Sequence, residues 1–222
     1  MRRIHVNKIL FCPSLMCANF DNLKEEVQEL DLAGADIFHI DVMDGKFVPN
    51  FGMGLQDIKT IRAATDKNID VHLMVENPGN HIKLFADLGV DIIYIHPEAD
   101  NNALKTLEII KNQNIKSGIA INPGTSIETI KELLNSVDYV MVMTVHPGFS
   151  GQKFIPFVED KIDYLLELQS KYNFELLIDG AVSPEKIKSL GEKGVQGFVL
   201  GTSALFEKDE TYHDLLARYK SL

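Results

Sequence analysis

This 222-residue chain is short of three things. It holds two cysteines, Cys12 and Cys17, too few and too close together for a disulfide framework. They read as free thiols in a reducing compartment. It is short of positive charge, with 22 lysines and arginines against 32 aspartates and glutamates, a net of −10. That balance argues against a broad electrostatic grip on nucleic acid. It also repels small anions, so an anionic ligand would need local devices: a metal ion, backbone N–H groups or a helix end. The third absence is a long hydrophobic run. The basic start Met1-Arg2-Arg3 leads into a brief apolar stretch stopped by Pro13, too short for a secretory signal. No segment approaches the length of a membrane span. With 45% hydrophobic and 24% charged residues, the expectation is an ordinary soluble, cytoplasmic globular protein.

Linkers and low-complexity segments are missing too, so residues 1–222 are expected to form one domain. What is present is alternation. Short β-branched, apolar runs recur at Ile9–Pro13, Ile37–Val42, Ile69–Met74, Ile92–His96, Ser117–Ile121, Tyr139–Thr144, Glu175–Asp179 and Gly197–Leu200. They are too solidly apolar for a one-sided antiparallel sheet. Between them lie helically spaced stretches, including Leu23, Val27, Leu30 and Ala33, then Ile82–Leu88, Leu104–Ile110, Ile127–Leu134, Val158–Leu168 and Ile187–Leu190. Gly34, Gly89 and Gly194 each read as a glycine just past a helix end, before the next strand. Eight strand-then-helix units of about 28 residues predict an α/β fold, a single (β/α)8 barrel. A doubly wound open sheet competes, but Pro13-Ser14-Leu15-Met16 after the first strand is not the glycine-rich turn it favours.

In such a barrel chemistry sits at the C-terminal ends of the strands. His39 and Asp41 are two apart in the second strand and so share a face. His72 stands at an equivalent height in the third, and Asp179 ends the seventh. Each alone has a bland reading: a histidine hydrogen-bonded in the core, or an Asp-Gly turn such as Asp44-Gly45 or Asp179-Gly180. Together, two imidazoles and two carboxylates form a four-ligand site for Zn²⁺ or a similar divalent ion. The loop His146–Gln152, with Gly148 and Gly151, offers backbone N–H groups to an anion. Gly201-Thr202-Ser203 is expected to open a helix and offer its N-terminus. Met43, Met74 and Met143 fall at strand ends, where they fill gaps or wall a pocket.

Several of these segments resemble the ribulose-phosphate 3-epimerase family over nearly the whole chain. They are Pro13-Ser14-Leu15, the run His39–Asn50 (HIDVMDGKFVPN), His72-Leu73-Met74, Asn122-Pro123, Met143-Thr144-Val145, Pro147-Gly148-Phe149, Gly151-Gln152 and Ile178-Asp179-Gly180. The resemblance implies a (β/α)8 barrel, one divalent metal and epimerisation at C3 of a phosphorylated ketose. It makes His39, Asp41, His72 and Asp179 metal ligands, and Asp41 and Asp179 the acid/base pair. Ser14, His72, Met43, Met74 and Met143 would contact substrate. Gly148, Phe149, Ser150 and Gly151, with Gly201, Thr202 and Ser203, would hold phosphate, and Gly180 would also bind substrate. The chemistry agrees, because a proton beside a ketone is too weakly acidic for an unaided carboxylate and calls for Lewis-acid help. One Asp then removes the C3 proton and the other returns one on the opposite face. No organic cofactor is needed. Zn²⁺ leads, with Fe²⁺, Mn²⁺, Co²⁺ and Mg²⁺ as other candidates. The loop His146–Gln152 is a candidate lid.

Within the family, Ser14-Leu15-Met16-Cys17, His96-Pro97-Glu98 and Gly201–Phe206 are more similar to the allulose-6-phosphate branch. The leading pair is then D-allulose 6-phosphate and D-fructose 6-phosphate. Ala18-Asn19-Phe20 points instead to D-ribulose 5-phosphate and D-xylulose 5-phosphate. His146 and Ala181 depart from both branches. A phosphate-binding decarboxylase or lyase would carry Asp-x-Lys-x-x-Asp, but this chain has His39-x-Asp41-x-x-Asp44 with no central lysine. A non-catalytic sugar-phosphate-binding barrel would not need two such carboxylates. The expected partners are a small sugar phosphate and further copies of the chain in a homo-oligomer, with no nucleic acid and no membrane.

Overall fold

The computed structural model describes residues 9–222, so the basic start Met1–Arg3 lies outside the described residues. Among the described residues, eight strands alternate with eight α-helices. The strands are β1 (Leu10–Pro13), β2 (Ile37–Met43), β3 (Asn68–Met74), β4 (Ile92–Ile95), β5 (Lys116–Ile121), β6 (Tyr139–Met143), β7 (Glu175–Asp179) and β8 (Gly197–Leu200). All ladders are parallel, in the order β1-β8-β7-β6-β5-β4-β3-β2. The seam between β1 and β2 is closed by a parallel bridge from Ser14 to His39. This is the predicted single (β/α)8 barrel, and its strands fall within two residues of the expected bounds.

The helices are α1 (Leu23–Leu32), α2 (Leu55–Ala64), α3 (Ile82–Ala86), α4 (Ala103–Asn112), α5 (Ile127–Ile130), α6 (Val158–Tyr172), α7 (Pro184–Lys193) and α8 (Tyr212–Lys220). Strand alternation sorts the apolar residues into two cores. Phe38 and Ile40 of β2 and Ile69, Val71 and Leu73 of β3 face outward, packing with Val27, Ile58, Leu107 and Ile162 of the helical ring. Cys12, Ile92, Tyr94, Ala120, Met141, Leu177 and Val199 fill the barrel interior. The residues alternating with the outward set are therefore aimed inward and upward: His39, Asp41 and Met43 on β2, and Asp70, His72 and Met74 on β3.

The three junction glycines behave as expected. Gly34, Gly89 and Gly194 have φ of +91°, +76° and +113°, the left-handed geometry that lets a helix stop and turn into a strand. Two expectations change. The stretch Ile127–Leu134 is not one helix, because α5 is a single turn followed by a 3₁₀ segment over Lys131–Ser136. A 3₁₀ helix rises about 2.0 Å per residue against about 1.5 Å for an α-helix, so the tighter coil lets this short crossover reach β6. Nor does Gly201-Thr202-Ser203 open a helix. The Gly201 carbonyl instead accepts from the N–H groups of Ala204, Leu205 and Phe206 in a compact turn, and α8 begins only at Tyr212.

Candidate active site and metal centre

Asp41 sits on β2 facing the barrel mouth, and its Oδ2 accepts a 2.8 Å hydrogen bond from the Ser14 hydroxyl at the end of β1. Its other oxygen, Oδ1, lies 3.3 Å from His39 Nε2 and 3.2 Å from His72 Nδ1. Asp179, from β7, brings Oδ2 to 4.0 Å from the same His39 nitrogen and 3.7 Å from the same His72 nitrogen. The four predicted ligands thus converge, with one donor atom from each lying within 4.8 Å of the others. Four ligands at about 2.0–2.2 Å around a tetrahedral ion stand roughly 3.3–3.6 Å apart, close to these separations.

The donor set also fits a cation chemically. Both imidazoles are fully buried, and His39 Nε2 has no hydrogen-bond partner. An orphaned ring nitrogen facing two carboxylates is costly unless something positive sits between them. Burial opposes a charge on His39, but the carboxylates of Asp70 and Asp41 outweigh it and hold the imidazole well above its usual pKa. Burial likewise works to raise Asp41, and the two imidazoles overcome it, holding that carboxyl well below its ordinary range. Asp179 moves the other way: burial, then the Asp41 charge, push it up to about 6.

Sequence reasoning passed over a third carboxylate. Asp70, fully buried on β3 and paired in register with His39, places Oδ1 2.5 Å from His39 Nδ1. A carboxylate on that nitrogen keeps the proton there and leaves Nε2 free for the cluster. The signal was available, because Asp70-x-His72 repeats the same-face spacing of His39-x-Asp41. Asp44, by contrast, takes its bland reading. It accepts from the N–H groups of Lys46, Phe47 and Glu76 and ties the loops after β2 and β3 together.

Above the cluster lies a pocket that opens to solvent. Asp41 and Asp179 line it, as do Ser14, Met43, Met74, Met143, Gly148, Phe149, Ser150, Gly151, Gly180, Gly201, Thr202 and Ser203. Every predicted substrate contact except His72 is therefore at one pocket. His72 is fully buried and lies behind that lining, so it reaches the pocket only through the cluster. The structure adds Met16 and Cys17, which follow Ser14 on a 3₁₀ turn, and Val145, Ala181, Val182 and Val199. Burial pushes the Cys17 thiol up to about 11, so it is inert as a nucleophile. No lysine or arginine lines the pocket among the described residues.

The loop over the pocket is braced. Gln152 donates from Nε2 to the carbonyls of His146 and Phe149 at 2.6 and 2.8 Å, and Asn50 donates to the Gly148 carbonyl at 2.7 Å. Beneath it, the Thr144 hydroxyl donates to the Asp179 carbonyl at 3.1 Å and also to the Gly180 carbonyl. These bonds fix where β7 ends and so where the Asp179 side chain emerges.

Comparison with known proteins gives this arrangement a context. The model of the ribulose-phosphate 3 epimerase family matches residues 10–206. The chain belongs to that family. The chain is 38% identical over 204 residues to a ribulose-phosphate 3-epimerase of Bacillus subtilis, covering 90% of this chain and 94% of that one. A Helicobacter pylori protein of the same name is 41% identical over 199 residues, covering 89% and 91%. The chloroplastic ribulose-5-phosphate-3-epimerase of Arabidopsis thaliana is 36% identical over 211 residues, covering 93% and 75%. Among solved structures, the phosphoribosyl anthranilate isomerase of Thermus thermophilus superposes with a TM-score of 0.69 at 13% identity, covering 96% and 99%. At that identity it shows the barrel alone. The chain is thus an isomerase of the epimerase class, with a His/Asp cluster able to hold a metal ion. No helix among the described residues is long and apolar enough to cross a membrane.

Proposed function

We propose that this epimerase interconverts D-ribulose 5-phosphate and D-xylulose 5-phosphate by inverting C3, with Asp41 and Asp179 as the acid/base pair. The observation that carries the reading is that both carboxylates, from non-adjacent strands, enter one pocket directly above a His₂Asp₂ cluster. Inversion needs one group to take a proton from one side of the carbon and another to return it on the other. The names of the relatives support the five-carbon sugar over the allulose 6-phosphate that the Ser14–Cys17 and Gly201–Phe206 motifs favour.

His39 through Nε2, His72 through Nδ1, Asp41 and Asp179 would hold a divalent ion, Zn²⁺ by the mixed imidazole and carboxylate set. Bound there, it would supply the positive charge that makes a proton next to a ketone removable. Ser14 holds the Asp41 carboxylate in one orientation. Met16, Met43, Met74 and Met143 form an apolar wall that limits water around the reacting carbon. Gly148–Gly151, Gly180 and Gly201–Ser203 hold phosphate through backbone N–H and hydroxyl groups, the means left where no cationic side chain among the described residues lines the pocket.

Incubation of the Zn²⁺-loaded protein with ribulose 5-phosphate or allulose 6-phosphate in D₂O tests this. The expected result is deuterium at C3 with inversion, and a higher kcat/KM on the five-carbon sugar. Faster turnover of the six-carbon sugar would restore the allulose reading. Loss of carbon would indicate a lyase, and no incorporation would indicate a binding barrel.

A further inference from the structure

Behind His72, away from the pocket, lies a polar chain that runs from the buried His96 out to the surface at Glu98 and plays no part in the reading above. His72 Nε2 is 2.8 Å from His96 Nε2, and the two rings stack at 5.0 Å and 29°. His96 directly follows β4 and is fully buried, with the Phe47 ring packed on it at 4.8 Å. Its other nitrogen, Nδ1, makes no hydrogen bond of good geometry, and the acceptor facing it is Glu98 Oε2 at 3.4 Å. Glu98 is held from the other side. Its Oε1 accepts from the Asn122 N–H at 2.9 Å and from the Thr125 hydroxyl. The Asn122 and Pro123 carbonyls in turn accept from Lys161 Nζ of α6 at 2.9 and 2.8 Å.

With a cation between His72 Nδ1 and the two carboxylates, hydrogen-bond direction along this chain has one consistent solution; without one, Asp41 Oδ1, 3.2 Å from His72 Nδ1, would draw the proton to that nitrogen. An ionised carboxylate only accepts, so Glu98 requires the proton of His96 on Nδ1. His96 Nε2 is then a lone pair, and a hydrogen bond between the two Nε2 atoms requires the proton of His72 on its own Nε2. That leaves His72 Nδ1 as a lone pair aimed at Asp41 and Asp179. The reverse direction would place a lone pair of His96 against the Glu98 carboxylate. It would also put a proton on His72 Nδ1, where a metal ligand must have none.

We propose that His96 and Glu98 are positioning residues that set the tautomer of His72 and so make its Nδ1 a metal ligand. This rests on the metal-site reading above and deepens it. Asp70 performs the same task for His39 in one step. The second histidine presents the opposite ring nitrogen, and a two-residue relay anchored on the β4 and β5 loops does for it what a single strand neighbour does for the first.

Zn²⁺ affinity of the metal-depleted protein, measured by competition with a chromophoric chelator, tests the proposal without reference to turnover. Removing an outer partner of a metal-bound histidine lowers affinity about 10–100-fold. Glu98→Ala and His96→Phe are expected to fall in that range, with circular dichroism as for the parent protein. His96→Gln, whose amide oxygen can accept from His72 Nε2, is expected to stay within about threefold. Should Glu98→Ala not fold, Glu98→Leu, which can accept no hydrogen bond, serves in its place. Long-range ¹H–¹⁵N correlation of the Zn²⁺-loaded protein should show His96 protonated on Nδ1 alone. Affinities of Glu98→Ala and His96→Phe within twofold of the parent, or a proton on His96 Nε2, would overturn the relay while leaving the metal site standing. A parent protein that binds no Zn²⁺ would overturn both.

Discussion

At Asp41, three polar neighbours act on one carboxylate: the Ser14 hydroxyl on Oδ2 and two imidazoles on Oδ1. Asp179 has the same two imidazoles at longer range, and burial dominates it. On the proposed two-sided proton transfer, neither carboxylate is replaceable. Asp41→Asn and Asp179→Asn should each lower kcat by about 10²–10⁴-fold while keeping the fold, checked by steady-state rates beside thermal unfolding. Glu98 offers a test through stability. Burial works to raise its pKa, but the neighbouring His96 imidazole, the Thr125 hydroxyl and the Asn122 N–H bring it down to about 2, from a usual 4.5. Because its folded value is depressed, its contribution is complete above pH 4.5 and is lost as pH falls toward 2, up to about 3 kcal/mol at most. The stability difference between the parent and Glu98→Gln should therefore be larger at pH 6 than at pH 3 in urea titrations. An equal difference at both pH values would show that Glu98 is not held ionised by its neighbours. The four cluster residues were legible in the sequence because they break apolar strand runs at the rim. Asp70 breaks its run just as plainly, but its role depends on which strand lies beside β3, and only the register pairing it with His39 supplies that. His96 and Glu98 stood in the sequence as branch markers, and their relay depends on contacts between different strands.

Among the elements, the end of β7 is the most constrained. Gly180 has φ +113°, and a Cβ there would stand 2.5 Å from Val145 Cγ2. Ala181 has φ +49°, a left-handed conformation that L residues adopt at a cost of about 1–2 kcal/mol. Gly180→Ala should lose roughly 2–4 kcal/mol, from backbone strain plus the clash. Ala181→Gly should stay within about 1 kcal/mol of the parent, relieved strain being offset by the greater freedom of glycine when unfolded. Denaturant midpoints of the two variants decide this, and the opposite order would refute it. The strands and the helix-stopping glycines could be read in advance because a two-residue or 3.6-residue period and a left-handed stop are local properties. The turn on the Gly201 carbonyl and the division of α5 could not, since both depend on how far the chain must travel to its next strand.

For the molecule as a whole, a net charge of −10 and a pocket without lysine or arginine among the described residues mean that long-range attraction does not deliver the substrate. Screening should therefore leave kcat/KM unchanged or raise it as salt increases from about 20 to about 200 mM. A several-fold decrease would point to a cationic grip that the described residues do not provide. The barrel brings residues from β1, β2, β3 and β7 to one mouth, and the seam bridge from Ser14 to His39 joins its two end strands at the cluster itself. The central claim is that this convergence holds one cation. Anomalous diffraction from crystals grown with Zn²⁺ measures it most directly. The account predicts a single strong peak within bonding distance of His39 Nε2, His72 Nδ1, Asp41 and Asp179. A peak elsewhere with this cluster empty would contradict it.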